Sequence, residues 1–283
     1  EQIVFYLKLL YYLAQEGLPV GGVLKTLDDQ VMATVDGKNY ALFDFIEGDY
    51  FFPNQELFCS AARAIAQMHK VFLGVDKSVV EKISVLSQQG YIYYNKVKTY
   101  SAEDFESIKQ IINNKNEQSE SDKYVMRQVP LFLETIKIIE KEKDRIDSLS
   151  IGLIHSDLHP HNLLVKDNKV CAILDFDGMR VSQRARDVAF AIYRLGRQFF
   201  VQNILPIEKL NTEKLANSFV KEYENVNPLS SEEKLLMPIL IKDEFLKKIL
   251  FVLNGIYKEN NHTWSRDLHK FLASIEEINY FWS

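Results

Sequence analysis

The segment HSDLHPHN (155 to 162), followed thirteen positions after Asn162 by Asp175 in ILDFDG, constrains this chain more than any other feature. LLVK (163 to 166) and VCAIL (170 to 174) read as two strands, because both are apolar and β-rich and Asp167-Asn168 between them is a turn signal. Strands flanking a tight turn return to one another in space. Asn162 at the start of the first and Asp175 at the end of the second should therefore converge, with Asp157 beside them in the loop. The chain must adopt a fold in which a loop and a hairpin bring three oxygen-bearing side chains to one edge.

That arrangement suits phosphoryl transfer from ATP, which asks the protein to hold metal ions on the phosphates and aim a hydroxyl in line rather than to do covalent chemistry. Mg²⁺ is a hard octahedral ion that prefers carboxylate, amide and water oxygens, so Asn162 and Asp175 are the expected metal ligands. Asp157 is expected to accept the proton of the attacking hydroxyl. His155, His159 and His161 could suggest a metal site of their own. Their spacings of four and two, in a loop with no cysteine, do not suit zinc.

The order H-x-D-x-x-x-x-N followed by D-F is the catalytic-loop and metal-loop pattern of kinases. With LHPHN in the loop and DFDG at the metal aspartate, it resembles the aminoglycoside phosphotransferase and choline kinase superfamily of small-molecule kinases. The resemblance implies that His155 supports the loop backbone and that Asp187, in DVAFAI (187 to 192), caps or braces the helix beginning near it. FDFIEG (43 to 48) matches the family's hinge, which implies that backbone groups of Asp44 and Ile46 read the adenine edge with Phe43 behind it. AIAQMH is similar to the first large-lobe helix, where His69 has a packing role. The run from FYLKLLYYLAQEGLPV through DGKNYALFDFIEG looks most like the bacterial homoserine kinase branch, whereas HSDLHPHN is closer to aminoglycoside and general phosphotransferases. Protein kinases carry a long activation segment after the metal aspartate. Here only eleven residues separate Asp175 from Asp187 and no A-P-E follows, so a small-molecule acceptor is favoured.

Composition is compatible with this reading. A chain of 283 residues that is 47% hydrophobic and 12% aromatic can bury a large core or two lobes. A net charge of −5 offers no basic stripe for nucleic acid. Cys59 and Cys171 lie far apart in apolar stretches, as expected of buried free thiols in a reducing cytoplasm. The most apolar run, residues 3 to 14, is too short to span a bilayer, is interrupted by Lys8 and lacks the marks of a signal peptide, so no membrane partner is expected.

Along the chain, residues 2 to 16 read as a helix apolar on nearly every face, which implies burial on both sides, and GLPV (17 to 20) ends it. VMATVD (31 to 36) and YALFDFI (40 to 46) read as a hairpin joined at Gly37. In 57 to 72, Leu57, Ala61, Ile65, Met68 and Phe72 form a core-facing helical stripe. Residues 113 to 123 read as a mobile polar loop, 124 to 147 as a helix, and 208 to 224, 232 to 256 and 264 to 281 as late helices. In the family such late helices build the substrate pocket, and Asp243 and Glu244 would supply acidic walls for a cationic acceptor.

The expected fold is α+β and bilobal, protein-kinase-like, with residues 1 to 48 as an incomplete small N-terminal lobe and hinge and 49 to 283 as a large, mostly helical C-terminal lobe. The incompleteness is a departure from the family. A glycine-rich phosphate loop and a strand lysine should precede the first helix, and neither is present; Glu1 and Glu16 are that helix's only candidate partner acids. Either roughly 40 to 60 residues are lacking from the displayed chain, or it is a silent nucleotide-binding remnant. The expected activity is ATP- and Mg²⁺-dependent phosphorylation of a small-molecule hydroxyl in the cytoplasm.

Overall fold

The structure, a computed structural model, describes residues 2 to 88, 99 to 202 and 211 to 282. Along the chain the elements are α1 (Gln2–Gln15), β1 (Val23–Leu24), β2 (Ala33–Val35), β3 (Lys38–Tyr40), β4 (Leu42–Phe43), β5 (Asp49–Tyr50), α2 (Gln55–Phe72) and α3 (Lys77–Gln88). There follow α4 (Ala102–Asn113), α5 (Glu120–Lys141), α6 (Lys143–Ser148), β6 (Ile151–Ile154), β7 (Leu163–Lys166), β8 (Lys169–Ile173) and β9 (Arg180–Gln183). The last are α7 (Arg184–Gly196), α8 (Gln198–Val201), α9 (Thr212–Glu224), α10 (Ser231–Tyr257) and α11 (Leu268–Ile278). They gather into two compact units, one of residues 1–89 with 150–230, the other of 90–149 with 231–283.

The first unit is organised around α2. Asn54 caps it by accepting the backbone N–H groups of Glu56 and Leu57, and Leu57, Ala61, Ile65, Met68 and Phe72 are all buried, as their helical spacing requires. The strands form small antiparallel ladders: β1 with β4, β2 with β3, β7 between β5 and β8, and β6 with β9. The β7–β8 hairpin is the expected one, and Asp167 and Asn168 at its tip both have positive φ, 50° and 56°, as a type I′ turn demands.

The N-terminal segment departs from expectation in two places. Leu7 is buried against Val23 and Val31, and Leu9 and Leu13 are buried on another side of α1, but Ile3, Lys8 and Tyr12 remain exposed. The helix is thus only partly enclosed. The second predicted strand is also divided: Lys38–Tyr40 closes the hairpin through Asp36-Gly37, while Leu42–Phe43 turns away to pair with Val23–Leu24. Residues 44 to 46 belong to no ladder.

The second unit is helical. Residues 113 to 123 are not one loop, because Ser119 and Asp122 form a capping box that starts α5 at Glu120, and the predicted 124 to 147 helix breaks at Glu142 into α5 and α6. Asp122 has a second task. Buried itself, it accepts hydrogen bonds from Lys115 Nζ and Tyr257 Oη, both 2.7 Å, and from the backbone N–H and hydroxyl of Ser119, both 2.8 Å. Burial alone would raise its pKa, but these donors outweigh it and hold the carboxyl at about 2. A carboxylate depressed on folding contributes stability that is complete above the unfolded value and is lost as pH falls through the folded one. Thermal unfolding should therefore lose stability between pH 4 and 2, and Asp122→Asn should flatten that part of the profile while lowering the midpoint at neutral pH.

The late helices match the sequence closely, with α9, α10 and α11 where periodicity places them; the predicted start at 208 lies outside the described residues. Asp243 and Glu244 are buried, and Asp243 accepts from Tyr100 Oη at 2.8 Å and from Lys247 Nζ at 2.9 Å. As an acidic wall for a cation, Asp243 is already neutralised by Lys247. Cys59 and Cys171 are free thiols, half-buried rather than buried as expected, and Cys171 Sγ lies 3.7 Å from the Glu47 carbonyl. No described helix is long and apolar enough to cross a membrane.

Candidate active site

The loop after β6 is tied down by one carboxylate. Asp187, 1% exposed, accepts the backbone N–H of His155 at 2.6 Å through Oδ2 and that of Ser156 at 2.8 Å through Oδ1. Ser156 stands at φ 77°, a conformation that costs a residue with a Cβ on the order of 1 kcal/mol or more unless its surroundings enforce it. Asp187 does not cap α7, whose N-cap position is Gln183; its two oxygens are used by the loop instead. Behind it, His69 of α2 places Nε2 3.1 Å from Asp187 Oδ2 and Nδ1 2.8 Å from Tyr223 Oη of α9. The packing role expected of His69 is thus a polar one, joining two helices to the loop.

His155 does support the loop backbone, as the sequence suggests. Fully buried, it donates Nε2–H to the Leu174 carbonyl at 2.9 Å and accepts the Asp157 N–H on Nδ1 at 3.3 Å. That pairing uses one ring nitrogen as donor and the other as acceptor, and burial pushes the imidazole pKa down, so the ring is neutral.

Asn162 and Asp175 are brought together by the hairpin. Leu174 N–H donates to the Asn162 carbonyl at 2.9 Å, immediately beyond the Leu163–Ile173 register pair, which sets Asp175 one residue from Asn162's partner. The Asn162 carboxamide donates Nδ2–H to the Asp157 carbonyl at 2.9 Å, leaving its Oδ1 as an acceptor. Asp175 is in the left-handed region at φ 60°, and the following Phe176 is buried against His155, ring centroids 4.7 Å apart. Gly178 is needed here, because a Cβ at that position would lie 3.0 Å from the His155 carbonyl. Burial first, and the Asp175 charge second, raise the pKa of Asp177. Tyr6 of α1 brings a buried hydroxyl, without a partner among the described residues, within electrostatic reach of Asp177. Oxygen donors and adjacent like charges form the kind of site that a hard divalent cation relieves.

The predicted hinge is an extended segment beyond β4. Asp44 N–H is used internally, donating to the Gly22 carbonyl at 2.8 Å, so the N–H is not available to a ligand. Ile46 N–H has no bond among the described residues, and Phe43 is half exposed. Gly48 lets the segment pass close over β8: a Cβ there would come within 2.9 Å of Cys171 Sγ.

Sequence reasoning missed two members of this assembly. His69 sits on the apolar face of α2, where a lone histidine reads as packing. His159, set aside as an unsuitable zinc ligand, lies with Nε2 3.4 Å from Asp157 Oδ2. The only signal for either was a polar residue at a position whose neighbours are buried or catalytic in type.

Residues 1–206 match the model of the phosphotransferase enzyme family. Among curated proteins, homoserine kinase of Sinorhizobium medicae is 22% identical over 260 residues, covering 91% of this chain and 68% of that protein. Homoserine kinase of Zymomonas mobilis is 23% identical, covering 88% and 69%. Among solved structures, spectinomycin phosphotransferase with ADP and spectinomycin superposes with a TM-score of 0.66 at 14% identity, covering 100% of this chain and 82% of that one. Choline kinase from Cryptosporidium parvum gives 0.53 at 13% identity, covering 96% and 77%. These likenesses establish the mixed α+β kinase-like fold, and with the family match across residues 1–206 this chain belongs to the phosphotransferase enzyme family.

Proposed function

We propose that this protein transfers the γ-phosphoryl group of ATP, with Mg²⁺, to the hydroxyl of a small amino alcohol, homoserine being the first acceptor to test. The observation that carries the reading is the convergence of Asp157, Asn162 and Asp175 on one loop and hairpin edge, tied by Asn162 Nδ2 to the Asp157 carbonyl and by Leu174 N–H to the Asn162 carbonyl. Asn162 Oδ1 and the Asp175 carboxylate would hold Mg²⁺, which when bound neutralises charge on the transferring phosphates. Among the described residues no three His, Cys, Asp or Glu side chains gather into a cage, so water and phosphate would complete the shell. The Asp44 carbonyl and Ile46 N–H would read adenine, with Phe43 beside it. Asp157 orients the acceptor hydroxyl and takes its proton as the oxygen bonds to phosphorus and the bond to ADP breaks. The lobe boundary falls at the end of the hinge, near Gly48. Homoserine leads the panel because the curated relatives are homoserine kinases.

The test is Asp175→Asn in the protein as expressed, with ADP release and Mg²⁺-dependent ATP binding as readouts across homoserine, choline and spectinomycin. Loss of turnover together with weakened Mg²⁺-dependent binding and an unchanged circular dichroism spectrum is the expected result. Unchanged activity removes the metal assignment. ATP binding by the native protein with no transfer to any acceptor points instead to a silent nucleotide-binding module.

A further inference from the structure

We propose that His159 is a positioning residue that aims the Asp157 carboxylate at the acceptor hydroxyl; this rests on Asp157 being the base. His159 is extended, φ −132° and ψ 169°, and caps the single turn Pro160–Asn162, with its Nδ1 accepting the His161 N–H at 3.3 Å. A neutral imidazole that accepts on Nδ1 carries its proton on Nε2. That nitrogen is 3.4 Å from Asp157 Oδ2, in a contact where the two side chains are only 20% and 27% exposed. The separation is long for a hydrogen bond, as is common before substrate closes a site.

The main chain around Asp157 is already fixed from two sides, by His155 Nδ1 on its N–H and by Asn162 Nδ2 on its carbonyl. Neither bond governs rotation of the carboxylate. A donor beside Oδ2 bears on it directly. The ring is held in turn by the His161 N–H and by the His161 ring, edge-on at 5.7 Å, while the His159 carbonyl accepts Asn162 N–H at 2.9 Å. One residue therefore spans the proposed base and the proposed metal ligand, which explains why an aromatic donor follows the aspartate by two positions.

The experiment compares His159→Gln, whose amide Nε2 reaches a similar point, with His159→Leu, which offers no donor, using ADP release with Mg-ATP and homoserine. His159→Leu should lower kcat about tenfold or more, with the ATP Kd and homoserine KM within about threefold and the melting temperature little changed; His159→Gln should recover most of the rate. Adding His159→Leu to Asp157→Asn should cost nothing further, since the histidine acts through that carboxylate. A rate preserved in His159→Leu beside an impaired Asp157→Asn overturns the proposal and leaves the base reading intact. Equal losses in Gln and Leu, or additive losses in the double variant, also overturn it, because they mark a packing role. Full activity in Asp157→Asn removes the base and the proposal with it.

Discussion

Asp157→Asn is expected to lower kcat by about 10² to 10⁴, the range that a positioned general base contributes, while ATP affinity measured by calorimetry with Mg²⁺ should stay within a few fold. The separation follows from the loop. The parts of Asp157 that build the site are backbone groups, its N–H on His155 and its carbonyl on Asn162, and the substitution leaves both in place. Only the carboxylate changes, from an acceptor to a group with no useful basicity. A variant that keeps its rate would show that the acceptor proton goes elsewhere. One that loses ATP binding in step with kcat would show that the carboxylate helps to hold nucleotide.

Asp187→Ala should unfold the protein far more easily, by about 3 to 5 kcal/mol, the usual cost of removing one partner from a buried charged network. Two buried backbone N–H groups and His69 Nε2 would lose their acceptor together. A buried donor left unmade costs about 1 to 3 kcal/mol by itself. The strained Ser156, held at φ 77° by the same carboxylate, would relax and carry Asp157 with it. Chemical denaturation should show the loss, and activity should fall even where the variant is still folded. Asp187→Asn should recover little, because a carboxamide presents an N–H₂ where the loop offers an N–H. A midpoint within 1 kcal/mol of native would mean that the loop is held by other contacts.

Much of this was legible without coordinates, for reasons that differ by element. The β7–β8 hairpin was readable because two apolar β-rich runs flank Asp167-Asn168, residues that accept the positive φ a tight turn requires. The α2 stripe was readable because Leu57, Ala61, Ile65, Met68 and Phe72 follow the helical period. Where local and tertiary preferences competed, reading failed. The run 40 to 46 has strand composition throughout, yet the chain divides it, since Leu42–Phe43 finds its partner in Val23–Leu24, far upstream. Residues 113 to 123 are polar enough for a loop, but the Ser119–Asp122 box starts a helix within them.

The sequence by itself determined which residues we propose for the chemistry, because Asp157, Asn162 and Asp175 are set by spacing around a turn, and a turn is a local object. Tertiary structure decided what holds them. Asp187 bonds a loop 31 and 32 residues upstream, His69 reaches Asp187 from 118 residues away and Tyr223 from 154. No periodicity records such pairings. They exist only because α2 and α7 pack against the strand that delivers the loop and α9 packs on those two helices, and a buried carboxylate must then find every donor that packing leaves within reach.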